Sequence, residues 1–159
     1  MCARLIIDLP DVEATWAAGA ILGRLAQSGD VIRAEGDLGA GKTSLAQGIA
    51  RGLGVPAEHY VNSPTFAILQ SHPGRIPLHH IDLYRLGDPD EALSLGLEEL
   101  IGVHGLAYVE WPSRAPELLP DDHLCVSLTM EGDGRRLELS AEGPRGQIMI
   151  AAFKDEHLG

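Results

Sequence analysis

The sequence predicts an α/β domain with a mixed central sheet, flanking helices and a C-terminal antiparallel hairpin. Three observations predict it. Residues 31–35 read as a strand that runs into a glycine-rich turn and then into helix-forming residues 43–53. Residues 106–110, Leu-Ala-Tyr-Val-Glu, form a nearly continuous apolar run of the kind buried on both faces of a sheet. In the tail, residues 123–130 and 135–140 alternate about the turn Glu131-Gly132-Asp133-Gly134.

The elements follow in order. Residues 4–9 read as a strand ended by Pro10. Asp11 is placed to cap a helix, because its carboxylate can accept first-turn N–H groups. Val12, Trp16, Ala20, Ile21, Leu22 and Leu25 then give that helix one apolar face, and Gly29-Asp30 ends it. In the second helix Leu45, Ile49 and Leu53 recur four apart, with Gly52, Gly54 and Pro56 as the stop. Residues 56–65 are rich in turn formers. Residues 66–70 read as a strand, 71–77 as a loop and 78–83 as another strand. Asp88-Pro89-Asp90-Glu91 opens a helix, with acids at its positive end. Residues 112–120 carry three prolines and fit a loop or a short helix between prolines. Residues 147–153 fit a helix or a strand equally well.

The chain has 159 residues, of which 45% are hydrophobic and 22% charged. That length is expected to form one domain, 1–159, with a core that requires no staples. Twelve basic against 23 acidic residues give a formal net charge of −11. So acidic a chain is not expected to hold nucleic acid on its own or to dock on an anionic membrane. No apolar run approaches the ~20 residues of a membrane span, and acids within the first 13 residues interrupt any signal-peptide core. The two cysteines, Cys2 and Cys125, make neither a disulfide framework nor a zinc quartet. A cytoplasmic location is the expectation.

Gly36-Asp37-Leu38-Gly39-Ala40-Gly41-Lys42-Thr43 matches G-x-x-x-x-G-K-[ST]. The glycines let successive backbone N–H groups turn inward toward phosphate oxygens, and the following helix presents its positive end to the same anion. Lys42 is placed to reach the β- and γ-phosphates, and Thr43 to give its hydroxyl to Mg²⁺. Lys42 is one of two lysines in a chain that otherwise uses arginine, and the motif joins a strand to a helix, as this chemistry requires. The fold class is therefore a P-loop NTPase-like α/β domain.

Such a loop needs an acid for the metal and a group that orients water. Glu110 and Asp82 both stand at the ends of apolar strands. Either is also an ordinary charge where a strand meets solvent, and Asp82 is also placed to pair with Arg85. His79 and His80 point to opposite faces of their strand, which argues against joint chelation of one ion. Ser63-Pro64-Thr65 is a turn by default, though a threonine in such a loop is placed to sense a γ-phosphate. Cys125 reads as a small buried residue.

The order and spacing of the phosphate loop, Ser63-Pro64-Thr65, Ile81-Asp82-Leu83-Tyr84-Arg85-Leu86 and Val109-Glu110-Trp111-Pro112 resemble the TsaE (YjeE) family. That family comprises the bacterial ATPases of tRNA threonylcarbamoyladenosine biosynthesis. The resemblance implies a small protein that binds and slowly hydrolyses ATP with Mg²⁺. It also implies action on the TsaB–TsaD heterodimer, which modifies adenosine 37 of tRNA. By position it places Gly39, Ala40, Gly41, Lys42, Thr43 and Ser44 on the phosphates, and Thr43 and Glu110 on Mg²⁺. Asp82 becomes a second acid at the metal or the group that orients water. Thr65 falls in a switch-like loop and Trp111 near the nucleotide. Asp11 and Thr15 fall near the adenine, and Arg135 within reach of the nucleotide. Ser44 departs from the pattern, which has threonine there. Without the resemblance, the residues reach a Mg²⁺-dependent nucleotide hydrolase, with a small-molecule kinase or a non-catalytic nucleotide-dependent binding module as alternatives.

Overall fold

The computed structural model describes residues 3–59, 61, 62, 68–84 and 86–158. Seven strands make one mixed sheet: β1 (Arg4–Leu9), β2 (Val31–Glu35), β3 (Leu69–His72), β4 (Leu78–Asp82), β5 (Leu106–Glu110), β6 (His123–Glu131) and β7 (Gly134–Glu142). Their order is β1-β7-β6-β2-β5-β4-β3. The centre, β6-β2-β5-β4, is parallel, while β1–β7, β6–β7 and β3–β4 pair antiparallel.

Helices cover both faces. On one face lie α1 (Val12–Leu25), α2 (Lys42–Gly52) and α5 (Pro144–Leu158). Leu22, Leu45, Ile49 and Phe153 bury there against Ile32, Tyr108, Val126 and Leu139. On the other face, α3 (Pro89–Ser94), α4 (Leu97–Leu100) and two single-turn helices at Pro112–Arg114 and Pro116–Leu118 cover Val31, Ile81, Ala107 and Val109. Both faces of β5 are therefore buried, which accounts for its unbroken apolar sequence.

Most predicted elements stand where the sequence places them. Asp11 caps α1 by accepting the Ala14 N–H at 2.8 Å, and Asp88 accepts the Asp90 N–H at 3.0 Å before α3. The strand predicted at 66–70 is corrected. Phe66 and Ala67 lie outside the described residues, and β3 runs over Leu69–His72, into the predicted loop. It is an edge strand with polar residues after Leu69, and its Ser71 hydroxyl meets His79 Nδ1 at 2.8 Å. The undecided segment 147–153 belongs to helix α5. That helix is capped by Asp122, whose carboxylate accepts the N–H groups of Arg145 and Gly146 at 3.0–3.3 Å.

Helices α1 and α2 run parallel and unusually close. Gly19 and Gly23 of α1 face Gly48 and Gly52 of α2, and a Cβ at any of the four would lie 2.2–2.5 Å from a carbonyl oxygen of the other helix. This contact runs along the middle and C-terminal parts of both helices, and so holds the helix that follows the phosphate motif against α1. Just past this contact, the Arg75 guanidinium donates to the Gly23, Arg24 and Ala26 carbonyls at 2.8–3.2 Å, closing the C-terminus of α1.

Candidate active site

The glycine loop lies between β2 and α2, at the C-terminal edge of the parallel strands, where α/β sheets place their ligands. Gly39 has φ 83° and Gly41 φ 109°, a region closed to most other residues. Gly41 is also the N-cap of α2, so no side chain caps that helix. The first-turn amides of Lys42, Thr43 and Ser44 are therefore open to an anion, reinforced by the helix dipole. Ala40 is buried and makes a turn by donating its N–H to the Asp37 carbonyl at 3.1 Å. From β7, Arg135 donates to the Gly39 carbonyl at 3.1 Å, which sets its guanidinium against the loop.

The two candidate acids stand side by side. Asp82 and Glu110 are register partners on the parallel strands β4 and β5, and Ala34 of β2 flanks Glu110 on the other side. Glu110 is 2% exposed, and its Oε2 lies 2.5 Å from His80 Nε2. Asp82 is half-buried, and its Oδ1 accepts the Tyr84 N–H at 3.0 Å. His79 faces the other way, toward Ser71 and the His104 ring, so the two histidines do diverge as strand geometry dictates.

Lys42 is itself buried, and its ammonium lies 4.0 Å from the centre of the Trp111 ring. Trp111 has φ 55°, the only described non-glycine residue with positive φ, and this bend brings its indole over the lysine. Lys42 and Trp111, with Gly36, Asp37 and Ser113, line a cavity of about 230 Å³. Beneath it the Tyr108 hydroxyl donates to the Lys42 carbonyl at 2.7 Å. Burial, and then the Glu110 charge, push that hydroxyl well above its usual pKa, so it remains a donor.

The structure thus gathers Gly39, Ala40, Gly41, Lys42, Thr43, Ser44, Asp82, Glu110, Trp111 and Arg135 around one loop. Asp11 and Thr15 lie at the start of α1, with the Thr15 hydroxyl buried and 3.5 Å from the Asp11 carbonyl. Thr65 and Arg85 lie outside the described residues. The sequence reading passed over the His80–Glu110 contact and the Tyr108 hydroxyl. The residues alternate so that His80 shares a face with Asp82 and Tyr108 shares a face with Glu110, but only the pairing of β4 with β5 brings these faces together. A larger hollow of about 400 Å³ beside Trp16, Gln47 and Arg51 contains neither the loop nor the acids. The smaller one is lined by Gly36, Asp37 and Lys42 of the loop, so the chemistry points to it.

The model of the family "Threonylcarbamoyl adenosine biosynthesis protein TsaE" matches residues 9–137. The chain belongs to the TsaE family. The TsaE protein of Bacillus subtilis (strain 168) is 40% identical over 139 residues, covering 86% of this chain and 85% of that one. The TsaE protein of Nostoc sp. (strain PCC 7120) is 44% identical over 137 residues, covering 82% and 81%. The crystal structure of Bacillus subtilis YdiB superposes with a TM-score of 0.83 at 31% identity, covering 99% and 98%. The likeness to YdiB extends the match over the rest of β7 and over α5, beyond the residues the family model covers.

Proposed function

We propose that this TsaE-family protein is a Mg²⁺-dependent ATPase that serves tRNA threonylcarbamoyladenosine formation in the cytoplasm, acting on the TsaB–TsaD heterodimer. The observation that carries the reading is the juxtaposition of an uncapped glycine loop with two register-paired acids, inside a chain of this family.

Positioning comes first. The loop amides and the α2 N-terminus bind the phosphates, and Lys42 exchanges the Trp111 ring for β- and γ-phosphate oxygens. Nucleotide binding therefore changes the surroundings of both side chains. The Thr43 hydroxyl and the Glu110 and Asp82 carboxylates form a hard, oxygen-only donor set of the kind Mg²⁺ prefers. Bound there, the metal would offset negative charge on the phosphates. One of the two acids orients water for in-line attack. The water oxygen bonds to the γ-phosphorus as the bond to the β-phosphate oxygen breaks, the water proton passes to the phosphate being formed, and ADP leaves. Lys42 stabilises the charge spread over the transferring group. Arg135, already against the loop, adds a second cation on the β7 side.

The net charge of −11 supports action through protein partners rather than by gripping tRNA. A small-molecule kinase would need an acceptor pocket beside the loop, and the cavity there, lined by Trp111 and Pro112, holds only about 230 Å³. The test is genetic. In cells lacking the native gene, the wild-type chain should restore the modification at adenosine 37. A Glu110→Gln variant should bind nucleotide yet fail to restore it. Full restoration by that variant would refute the catalytic reading in favour of a binding module.

A further inference from the structure

We infer that His80 is a positioning residue for Glu110, selecting which carboxylate oxygen is left to face the phosphate loop. The inference rests on the ATPase reading above and adds to it a residue outside the loop and the two acids.

A glutamate at a strand end has three side-chain torsions and would sample several orientations. Here both partners are out of water: the His80 side chain is 0% exposed and that of Glu110 3%. The 2.5 Å contact between Nε2 and Oε2 therefore forms without competing solvent. An ionised carboxylate can only accept, so the hydrogen belongs on Nε2. The other ring nitrogen, Nδ1, is buried without a partner among the described residues. An unpaired acceptor there costs less than an unpaired N–H, which agrees with the same tautomer. The Nε2–H occupies Oε2 and leaves Oε1 to turn toward the loop.

His80 is itself held. Its ring meets Tyr108 edge-on, with centroids 5.4 Å apart and planes at 73°. The Tyr108 hydroxyl in turn bonds the Lys42 carbonyl. A continuous chain of contacts thus fixes the acid on β5 relative to the first residue of α2. Outer partners of this kind typically change metal affinity or activity about 10–100-fold when removed.

Two measurements test this. The first requires no ligand. Long-range ¹⁵N–¹H spectra of the nucleotide-free protein should show His80 as the Nε2–H tautomer, with a proton shifted far downfield. In Glu110→Gln that proton should move upfield. An Nδ1–H tautomer, or a signal indifferent to Glu110→Gln, would overturn the inference, even if every His80 variant failed to fold. The second uses ATP hydrolysis at varied Mg²⁺. His80→Leu should lower kcat about 10–100-fold and raise the Mg²⁺ needed for half-maximal rate, with metal-free nucleotide affinity unchanged. His80→Gln, which keeps an N–H near the Nε2 position, should recover most of the loss. Unchanged rates in His80→Leu, or equal losses in both variants, would also overturn it. A wild-type protein that neither binds nor hydrolyses ATP would instead strike the ATPase reading, and the ring spectra would still decide the pairing.

Discussion

Replacing Gly48 by alanine should destabilise the protein although alanine is the better helix former. A Cβ at Gly48 would lie 2.4 Å from the Trp16 carbonyl oxygen, 2.9 Å from Trp16 Cα and 3.0 Å from Gly19 Cα. Each of these is a main-chain atom, so no side-chain rotation relieves the contact. Restoring ordinary separations requires the helices to part by about 1 Å, and overpacking of this kind costs about 1–3 kcal/mol. The upper end applies, because the displaced atoms belong to two packed helices. Helix propensity returns about 1 kcal/mol, leaving a net loss of about 2 kcal/mol. For a chain of this size that lowers Tm by about 4–8 °C. Thermal unfolding followed by circular dichroism measures it. Gly87→Ala is the control: the nearest atom to its Cβ is Glu91 Oε2 at 3.8 Å, and its effect should stay within about 0.5 kcal/mol. A Gly48→Ala protein with an unchanged or higher Tm would show that α1 and α2 separate freely, and the packing argument would fall.

Two further outcomes follow from buried charge. Arg145 donates from Nε and Nη2 to both oxygens of Asp30 at 2.9 Å, and the Asp30 side chain is only 7% exposed. Arg145→Met strands that carboxylate and should cost about 2–4 kcal/mol in urea unfolding, with a smaller loss when Asp30→Asn accompanies it. His72 and His79 are each held below the usual value of 6.5, by burial first and then by neighbouring histidines. Above that value both states leave these rings neutral. Below it the unfolded chain takes up protons that the folded one refuses, so stability should fall as the pH drops from 6.5. Urea unfolding at about pH 7.5 and about pH 5.5 measures this. His79→Asn should flatten the acid side, and a stability that rises on acidification would contradict the assignment.

The parts of the molecule written in local sequence were legible. The glycine loop, the strand-end acids, the Asp11 cap and the Asp88-Pro89-Asp90-Glu91 helix start each rest on residues within a few positions of one another. What escaped rests on contacts between distant segments. Edge strand β3 has little apolar alternation because it carries polar residues at the sheet margin. Helix α5 starts without a local cap, since Asp122 supplies one from before β6. Gly19 and Gly23 are spaced like Gly48 and Gly52, but that spacing signals close packing only once the two helices are known to touch. The site divides in the same way. Lys42, Thr43, Glu110 and Asp82 follow from motif and strand position. The contact of His80 with Glu110 requires the pairing of β4 with β5, and that of Arg135 with Gly39 requires the β6–β7 hairpin to pair with β2.

Phosphate release from ATP by the purified protein tests the central claim most directly, measured alone and with its own TsaB and TsaD, beside a Lys42→Ala control. The account predicts slow release alone, stimulation by the pair, and loss of both in Lys42→Ala. A rate that the pair leaves unchanged, or that survives Lys42→Ala, would contradict it.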